Sequence, residues 1–344
     1  MVDDNFNIAQ GFSLKKVSLK NLANLVHGEL VGQDIEIGFL VRLKTRKSKS
    51  IAHLTYVTDQ SYLESFIASS HEAAIIPRKL FHLLDVSNTP KSFLVVDKSA
   101  DTAFFELHEL LSQNDFYPKI TSYRGNNCNI HSSAVIFDNV RIKDNVIIHP
   151  NVVVYPNSII DDNVEIKPSA VIGGIGFEKK YLFGKNKIVA HTGGIYLGKN
   201  VSIGASTSVD RGEMGDFTQI YNDTKVDNLV HIAHNVIVGS DSFIIACSEI
   251  SGSCIFGKGI WYAPGACCNP EIILGDYTFV GTGAVVVKDT LPFSLVYGNP
   301  AKQGGWMCKC QKYRISLVND YAICNCGRKY RYDGKRMNLI EDII

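Results

Sequence analysis

Two groups of residues in this 344-residue chain have types and spacings suited to chemistry. The first is the run Asp227-Asn228-Leu229-Val230-His231-Ile232-Ala233-His234-Asn235, which sets two imidazoles three residues apart among a carboxylate and two amides. An imidazole titrates near neutral pH, so it can take a proton from a nucleophile and return it to a leaving group. His234 is the candidate general base, with His231, Asp227, Asn228 and the later Glu249 as candidates to support it or hold its tautomer. The second group is Cys308-Lys309-Cys310 and Cys324-Asn325-Cys326. Two close pairs of thiolates suit a tetrahedral zinc ion, and four protein ligands leave no open position, so such a metal would be structural.

The element that must position the histidines is a six-residue beat. Apolar, mostly branched residues fall at Ile130, Ile136, Ile142, Ile148, Val154, Ile160, Ile166 and Ile172, resume at Leu197, Ile203 and Val209, shift by one, and continue from Ile220 through Val226, Ile232 and Val238 to Val280. Period six matches no amphipathic helix, and β-branched residues favour strands. A short fixed period is the mark of a solenoid whose units bury their apolar face only by stacking. Gly follows the repeat residue at 198, 204, 239, 257, 275 and 281, where backbones would approach closely. Asn stands three places after it at 139, 145, 151, 157, 163, 200 and 235, where a corner needs the left-handed conformation. The expected fold is therefore mainly β, a parallel β-helix. With Ile232 pointing inward, His234 falls in a corner slot that other hexads fill with Ser132, Asp138, Asp144, Pro150, Pro156, Lys199 or Ser240. It is the one His in that slot, and an imidazole is not needed to make the turn.

Around the solenoid the pattern changes. Residues 1 to about 12 read as a loose tail. Helices near Leu19–His27 and Ser61–Ser69 alternate with strands at Ile35–Val41, His53–Val57, Ala73–Ile76 and Ser92–Val96, the signature of a small α/β domain. An amphipathic helix over Thr102–Ser112 joins it to the solenoid. The expected domains are 1–115, 116–290 and 291–344, the last a zinc-knuckle-like tail. The interruption Gly173–Tyr196 should leave the solenoid as a loop on one face. Charges nearly cancel, at a net +1, which argues against nucleic acid or an anionic membrane as partner. No apolar run is long enough to span a bilayer and the N-terminus lacks a secretory signal, so the expected location is cytoplasmic. Nine cysteines, an odd number, fit metal ligation or free thiols better than a disulfide framework. Cys247, Cys254, Cys267 and Cys268 read as small apolar fillers of the solenoid.

The segment VIGGIGFEKK…VAHTGGIYLGKNVSIGASTSVDRGEMGDFTQIYNDTKVDNLVHIAHNVIVG resembles the core of UDP-3-O-acylglucosamine N-acyltransferase, in its insertion, its VDRG step at 209–212 and its IAHN at 232–235. LTYVTDQSYLESFIASSHEAAIIPRKL occupies the place of that family's nucleotide-binding domain, so the resemblance spans about residues 14–286. It implies a left-handed coil of three hexads, a homotrimer with active sites between adjacent helices, His234 as general base, and Tyr62 stacked on a nucleotide base. Asp210, Arg211, Tyr221, Asn222 and Asn228 become candidates to contact the sugar or its phosphates. Two departures then direct the choice of substrates. APGACCNPEIILGD stands where the family carries a second functional His, and VYGNPAK at 296–302 is similar to the exit of acyltransferases that use acyl-CoA. The resulting expectation is an N-acyltransferase moving an acyl group from acyl-CoA to a nucleotide-linked amino (dideoxy) sugar for a surface polysaccharide. The alternatives are the lipid A enzyme itself, with acyl carrier protein as donor, and a non-catalytic solenoid that binds sugar as a scaffold.

Overall fold

The computed structural model describes residues 11–43, 51–83 and 89–342; nearly all of the expected loose tail lies outside the described residues. The chain divides into two compact units. One comprises Met1–Lys119, Phe177–Gly193 and Gly212–Asp216, the other Ile120–Gly176, Gly194–Arg211 and Phe217–Ile344. No helix among the described residues is long and apolar enough to cross a membrane.

The first unit is the small α/β domain. In chain order it holds β1 (Val17–Ser18), α1 (Leu19–Val26), β2 (Glu29–Val31), β3 (Glu36–Leu40), β4 (Ala52–Tyr56), α2 (Gln60–Ala68), β5 (Ala73–Pro77), α3 (Arg78–Phe81), β6 (Ser92–Val96) and α4 (Ala100–Gln113). The sheet runs β1-β3-β4-β5-β6-β2, parallel through β3, β4, β5 and β6, with antiparallel strands at both edges. Strands β5 and β6 are buried along their whole length, as expected of a parallel core covered on both faces. Helix α1 starts where Ser18 Oγ accepts the Asn21 N–H and stops at His27 in the left-handed region. The edge strands β1 and β2 have only two and three residues, too few for a period-two signal in the sequence.

Helix α4 is more than a connector. Phe104, Phe105, Leu107 and Leu111 are completely buried in the core that α1 and the sheet share. Its buried acidic residues clasp the interruption, which forms an antiparallel hairpin of Lys179–Leu182 and Lys185–Ile188. Glu109 accepts from Ala190 N at 2.6 Å and Lys187 Nζ at 2.7 Å, and Glu106 accepts from Phe183 N at 2.8 Å. Carboxylates this deep persist because each is hydrogen-bonded and paired.

The second unit is a parallel β-helix. Strand partners lie eighteen residues apart where no insertion intervenes, as in Val140↔Ser158, Ile147↔Glu165 and Val153↔Val171. Three hexads therefore make one coil and feed three parallel sheets. The repeat residues Ile142, Ile148, Val154, Ile160, Ile166 and Ile172 line one sealed apolar column, each worth about 1.5–3 kcal/mol of burial. Toward the C-terminal end bulkier Phe256 and Tyr262 fill the same column. Cys254 and Cys268 are buried there as small fillers, whereas Cys247 stands exposed at a corner and Cys267 is half-buried. All seven asparagines of the corner slot have φ between 58° and 64°.

The glycines after the repeat residue serve close approach between coils. A Cβ on Gly204 would meet the backbone carbonyl carbon of Asp227 at 2.2 Å. Gly204→Ala should therefore lower stability by about 1–3 kcal/mol or more through overpacking against backbone that cannot rotate away; urea unfolding monitored by circular dichroism would measure it.

Past Val286 the coil ends. Ser294–Gly298 still pairs in parallel with Phe279–Val280, then Ala301–Met307 returns antiparallel. Tyr321–Ile323, Lys329–Tyr332 and Met337–Glu341 form a separate three-stranded antiparallel sheet. Its own core is small, made of Phe293, Cys308, Ile315, Ala322, Cys324, Tyr330 and Met337.

Candidate active site

The corner slot two places after each inward residue has an ordinary occupation. Side-chain oxygens of Asp144, Asp162, Asn222, Asn228 and Asp276 accept backbone N–H groups of the preceding coil, at 2.7–3.2 Å. Each such bond satisfies a donor at a turn. Ile232 points into the sealed column, so His234 occupies this slot without a carboxylate or amide oxygen to make the stitch. Its ring instead lies over the next coil, where Gly252 fills the equivalent slot. A Cβ on Gly252 would stand 2.7 Å from His234 Nε2 and 2.8 Å from Cε1. His234 is 8% exposed and lies outside the apolar column.

Asn235 does more than turn the chain. Its φ is 60°, its N–H donates to Thr218 Oγ1 at 2.9 Å, and its Oδ1 lies 3.0 Å from His234 Nδ1. An amide oxygen can only accept, so Nδ1 carries the hydrogen and Nε2 is the basic nitrogen. One coil earlier the same slot holds Arg211, because Val209 and Ile232 are register partners. The Arg211 Nε donates to Gly173 O at 2.7 Å and its guanidinium lies over the Tyr155 ring at 5.6 Å. Burial pulls its pKa down, yet a guanidinium stays charged. Arg211 and His234 thus occupy successive slots of one corner, the guanidinium reaching back to Gly173 and Tyr155 while the imidazole leans over Gly252 in the next coil.

The sheet leading into that corner carries a second polar group. Ser208, His231 and Glu249 are successive register partners on its outer face. His231 Nε2 lies 2.9 Å from Asp210 Oδ2, and Asp210 is nearly buried. The Asp210 hydrogen bond holds the His231 pKa above its ordinary value against the opposing effect of burial, with added charge from Asp210 and Glu249. Because the folded pKa is raised, the stability this pair adds is fully present below about pH 6.5, the unfolded value, and fades as pH rises through the higher folded one. His231 is about half exposed, so the contribution is at most about 1 kcal/mol. In Asp210→Asn the His231 titration followed by NMR should move down toward the ordinary value.

Other expected site residues fall elsewhere. Asp227 and Asn228 stand at the corner before the His231–Ile232 strand, not the one after it. Asp227 accepts from Asn228 N at 2.8 Å and Ala246 N at 3.3 Å, and Asn228 accepts from Ala205 N at 2.7 Å. Glu249 lies beside His231, not under His234. Tyr221 and Asn222 follow the Phe217–Ile220 strand at a third corner. There the Tyr221 hydroxyl donates to Gln219 at 2.7 Å, and the ring meets Tyr196 edge-on. Tyr62 belongs to the first unit, on an exposed face of α2 whose start is capped by Asp59. That unit also has a cleft of about 620 Å³ outside the carboxyl ends of β4, β5 and β6, lined among others by Thr58, Arg78, Lys79 and Lys98. Sequence reasoning missed Gly252 and undervalued Asn235. Both were detectable by comparing slot occupants coil by coil, since Gly252 stands eighteen residues after His234.

Comparison with known proteins adds three findings. Residues 139–174 match the family model described as bacterial transferase hexapeptide (six repeats). A UDP-3-O-acylglucosamine N-acyltransferase of Acinetobacter baumannii (strain AYE) is 35% identical over 272 residues, covering 70% of this chain and 73% of that protein. The enzyme of the same name from Pseudomonas fluorescens (strain SBW25) is 39% identical over 176 residues, 51% of this chain and 48% of its own. The chain spans about half the length of several curated relatives it matches, such as 41% for that of Caulobacter sp. (strain K31). Among solved structures, a UDP-N-acetylglucosamine acyltransferase from Campylobacter jejuni is similar at TM-score 0.49 and 19% identity, over 54% of this chain and 71% of that one. These relatives overturn the expectation of a dideoxy amino sugar acylated from acyl-CoA. Their shared name is that of the alternative set aside on the strength of APGACCNPEIILGD and VYGNPAK. Both segments lie beyond the irregular core that carries the likeness, although the first stacks on the coil after His234, where Glu271 N donates to Gly252 O at 3.0 Å.

Proposed function

The chain belongs to the UDP-3-O-acylglucosamine N-acyltransferase family, and from that premise we propose that it acylates the amine of a UDP-linked acylglucosamine, with an acyl thioester on acyl carrier protein as donor, in lipid A assembly. The observation that carries this is the His234 corner: an imidazole whose Nδ1 is anchored by Asn235 and whose ring rests on a Gly. The neutral sugar amine attacks the thioester carbonyl carbon, and a C–N bond forms while its proton passes to Nε2. The oxyanion collapses, the C–S bond breaks, and the thiolate leaves with the proton from the imidazolium. A positioned base of this kind contributes about 10²–10⁴-fold. Arg211, in the adjacent slot, and His231, held toward its charged form by Asp210, supply positive charge for the diphosphate or the oxyanion. The first unit holds the nucleotide, with Tyr62 as a stacking surface. The coil is left-handed, and the chain works as a cytoplasmic homotrimer, as the family resemblance implies.

The test is acyl transfer to UDP-3-O-acylglucosamine, followed by mass spectrometry of the product, with acyl carrier protein thioester against acyl-CoA. Amide formed preferentially from the carrier protein supports the reading. Folded protein that turns over neither donor, or only acyl-CoA, overturns it.

A further inference from the structure

The acyl-transfer reading makes no use of the tail, and there we propose a second site: Cys308, Cys310, Cys324 and Cys326 bind one zinc ion as a tetrathiolate, and the metal orders residues 306–342 against the end of the solenoid. The four sulfur atoms all lie within 4.8 Å of one another. Cys308 and Cys326 are 3.5 Å apart and Cys310 and Cys324 are 3.9 Å apart. Four sulfurs at a zinc–thiolate distance of about 2.3 Å define a tetrahedron with edges of about 3.8 Å. A disulfide would need about 2.05 Å, so the cluster has the dimensions of the metal site. All four thiols are free of disulfide bonds.

The backbone is shaped for the same end twice. In each CxC step a tight turn closes from the third residue on, Gln311 N to Cys308 O and Gly327 N to Cys324 O, both at 2.8 Å. Residues 311 and 327 both take the left-handed conformation. Cys310 N points at Cys308 Sγ at 3.5 Å, and Arg328 Nη1 at Cys326 Sγ at 3.5 Å. The Tyr330 hydroxyl lies 3.1 Å from Cys308 Sγ. These are the outer contacts that fix thiolates and offset the two negative charges of a zinc tetrathiolate.

The need for a metal follows from the poverty of the packing. Six of the seven buried residues of this core lie in the segment, two of them the cysteines themselves, too few to fold it by burial alone, which is the usual circumstance of small zinc modules. The knuckles are also where the tail meets the coil. Gln311 Nε2 donates to Gly259 O at 2.7 Å, Lys309 Nζ lies over Tyr277, and Tyr277 stacks on Phe293, whose edge meets Tyr330.

The test uses the full chain purified under reducing conditions. Zinc by mass spectrometry should be about one per chain, and the Cys324→Ser/Cys326→Ser double variant should hold almost none. Cobalt exchanged into the wild type should give the intense thiolate charge-transfer and tetrahedral d–d bands that the variant lacks. Chelation should speed proteolysis within 306–342 while the circular dichroism and melting of the solenoid stay unchanged. A reduced wild-type protein that binds neither zinc nor cobalt, thiols found paired as disulfides, or equal zinc in the double variant would each overturn the proposal. Acyl transfer is assayed separately, so neither result decides the other.

Discussion

His234→Ala should lower kcat by about 10²–10⁴-fold, or about 3–5.5 kcal/mol of transition-state stabilisation. Substrate binding and the melting temperature should barely move. The split follows from where the residue sits. Its side chain lies outside the apolar column, which keeps its packing when the ring is removed. Removing the ring therefore deletes the proton acceptor and little of the fold. A base that acts only as the amine attacks lowers kcat and kcat/KM together. Steady-state kinetics beside a thermal melt would measure both. A variant with kcat within about threefold of wild type contradicts the role, because that is far below what a general base supplies. Loss of binding with kcat preserved would instead make His234 a ligand contact.

Much of this was open to reading because the solenoid writes its structure locally. The inward residue, the close-approach Gly and the corner Asn recur within six positions, so the apolar column from Ile130 to Val280 and the slot of His234 follow from arithmetic. Tertiary choices left weaker traces. Helix α4 looks like a linker because its amphipathic pattern does not say what its apolar face will meet. In the fold, Glu106 and Glu109 on its other side clasp the hairpin at 179–188, seventy or more residues away. Proximity in sequence also misled. Asp227 and Asn228 stand close to His234 along the chain, yet the strand His231–Ile232 carries them to a different corner. Residues eighteen or twenty-three apart are the true neighbours, which is why Gly252 lies against the imidazole and Arg211 holds the same slot one coil earlier. The expectation of a different amino sugar rested on two short segments. APGACCNPEIILGD lacks a second His in one later coil, and VYGNPAK begins on the strand that pairs with the last coil through Val296 and Val280. The likeness over 70% of the chain outweighs both.

Gly252→Ala should cost about 100-fold in kcat with little change in stability, and it separates the position of the imidazole from its presence. The Gly252 backbone is not in the left-handed region, so alanine is conformationally allowed and even restricts the unfolded chain. What it meets is the ring: a Cβ would lie 2.7 Å from Nε2 and 2.8 Å from Cε1, closer than real contacts permit. The imidazole must swing away, breaking the 3.0 Å contact between Nδ1 and Asn235 and moving Nε2 by about 1 Å from its productive place. Gly239→Ala is the matched comparison. Its Cβ would strike the Gly257 backbone at 2.6 Å, with no catalytic group nearby, so it should lower the melting temperature while the folded fraction keeps its kcat. If Gly252→Ala instead melts early and retains full kcat, the ring has room to relax, and the seat that Gly252 provides is packing alone.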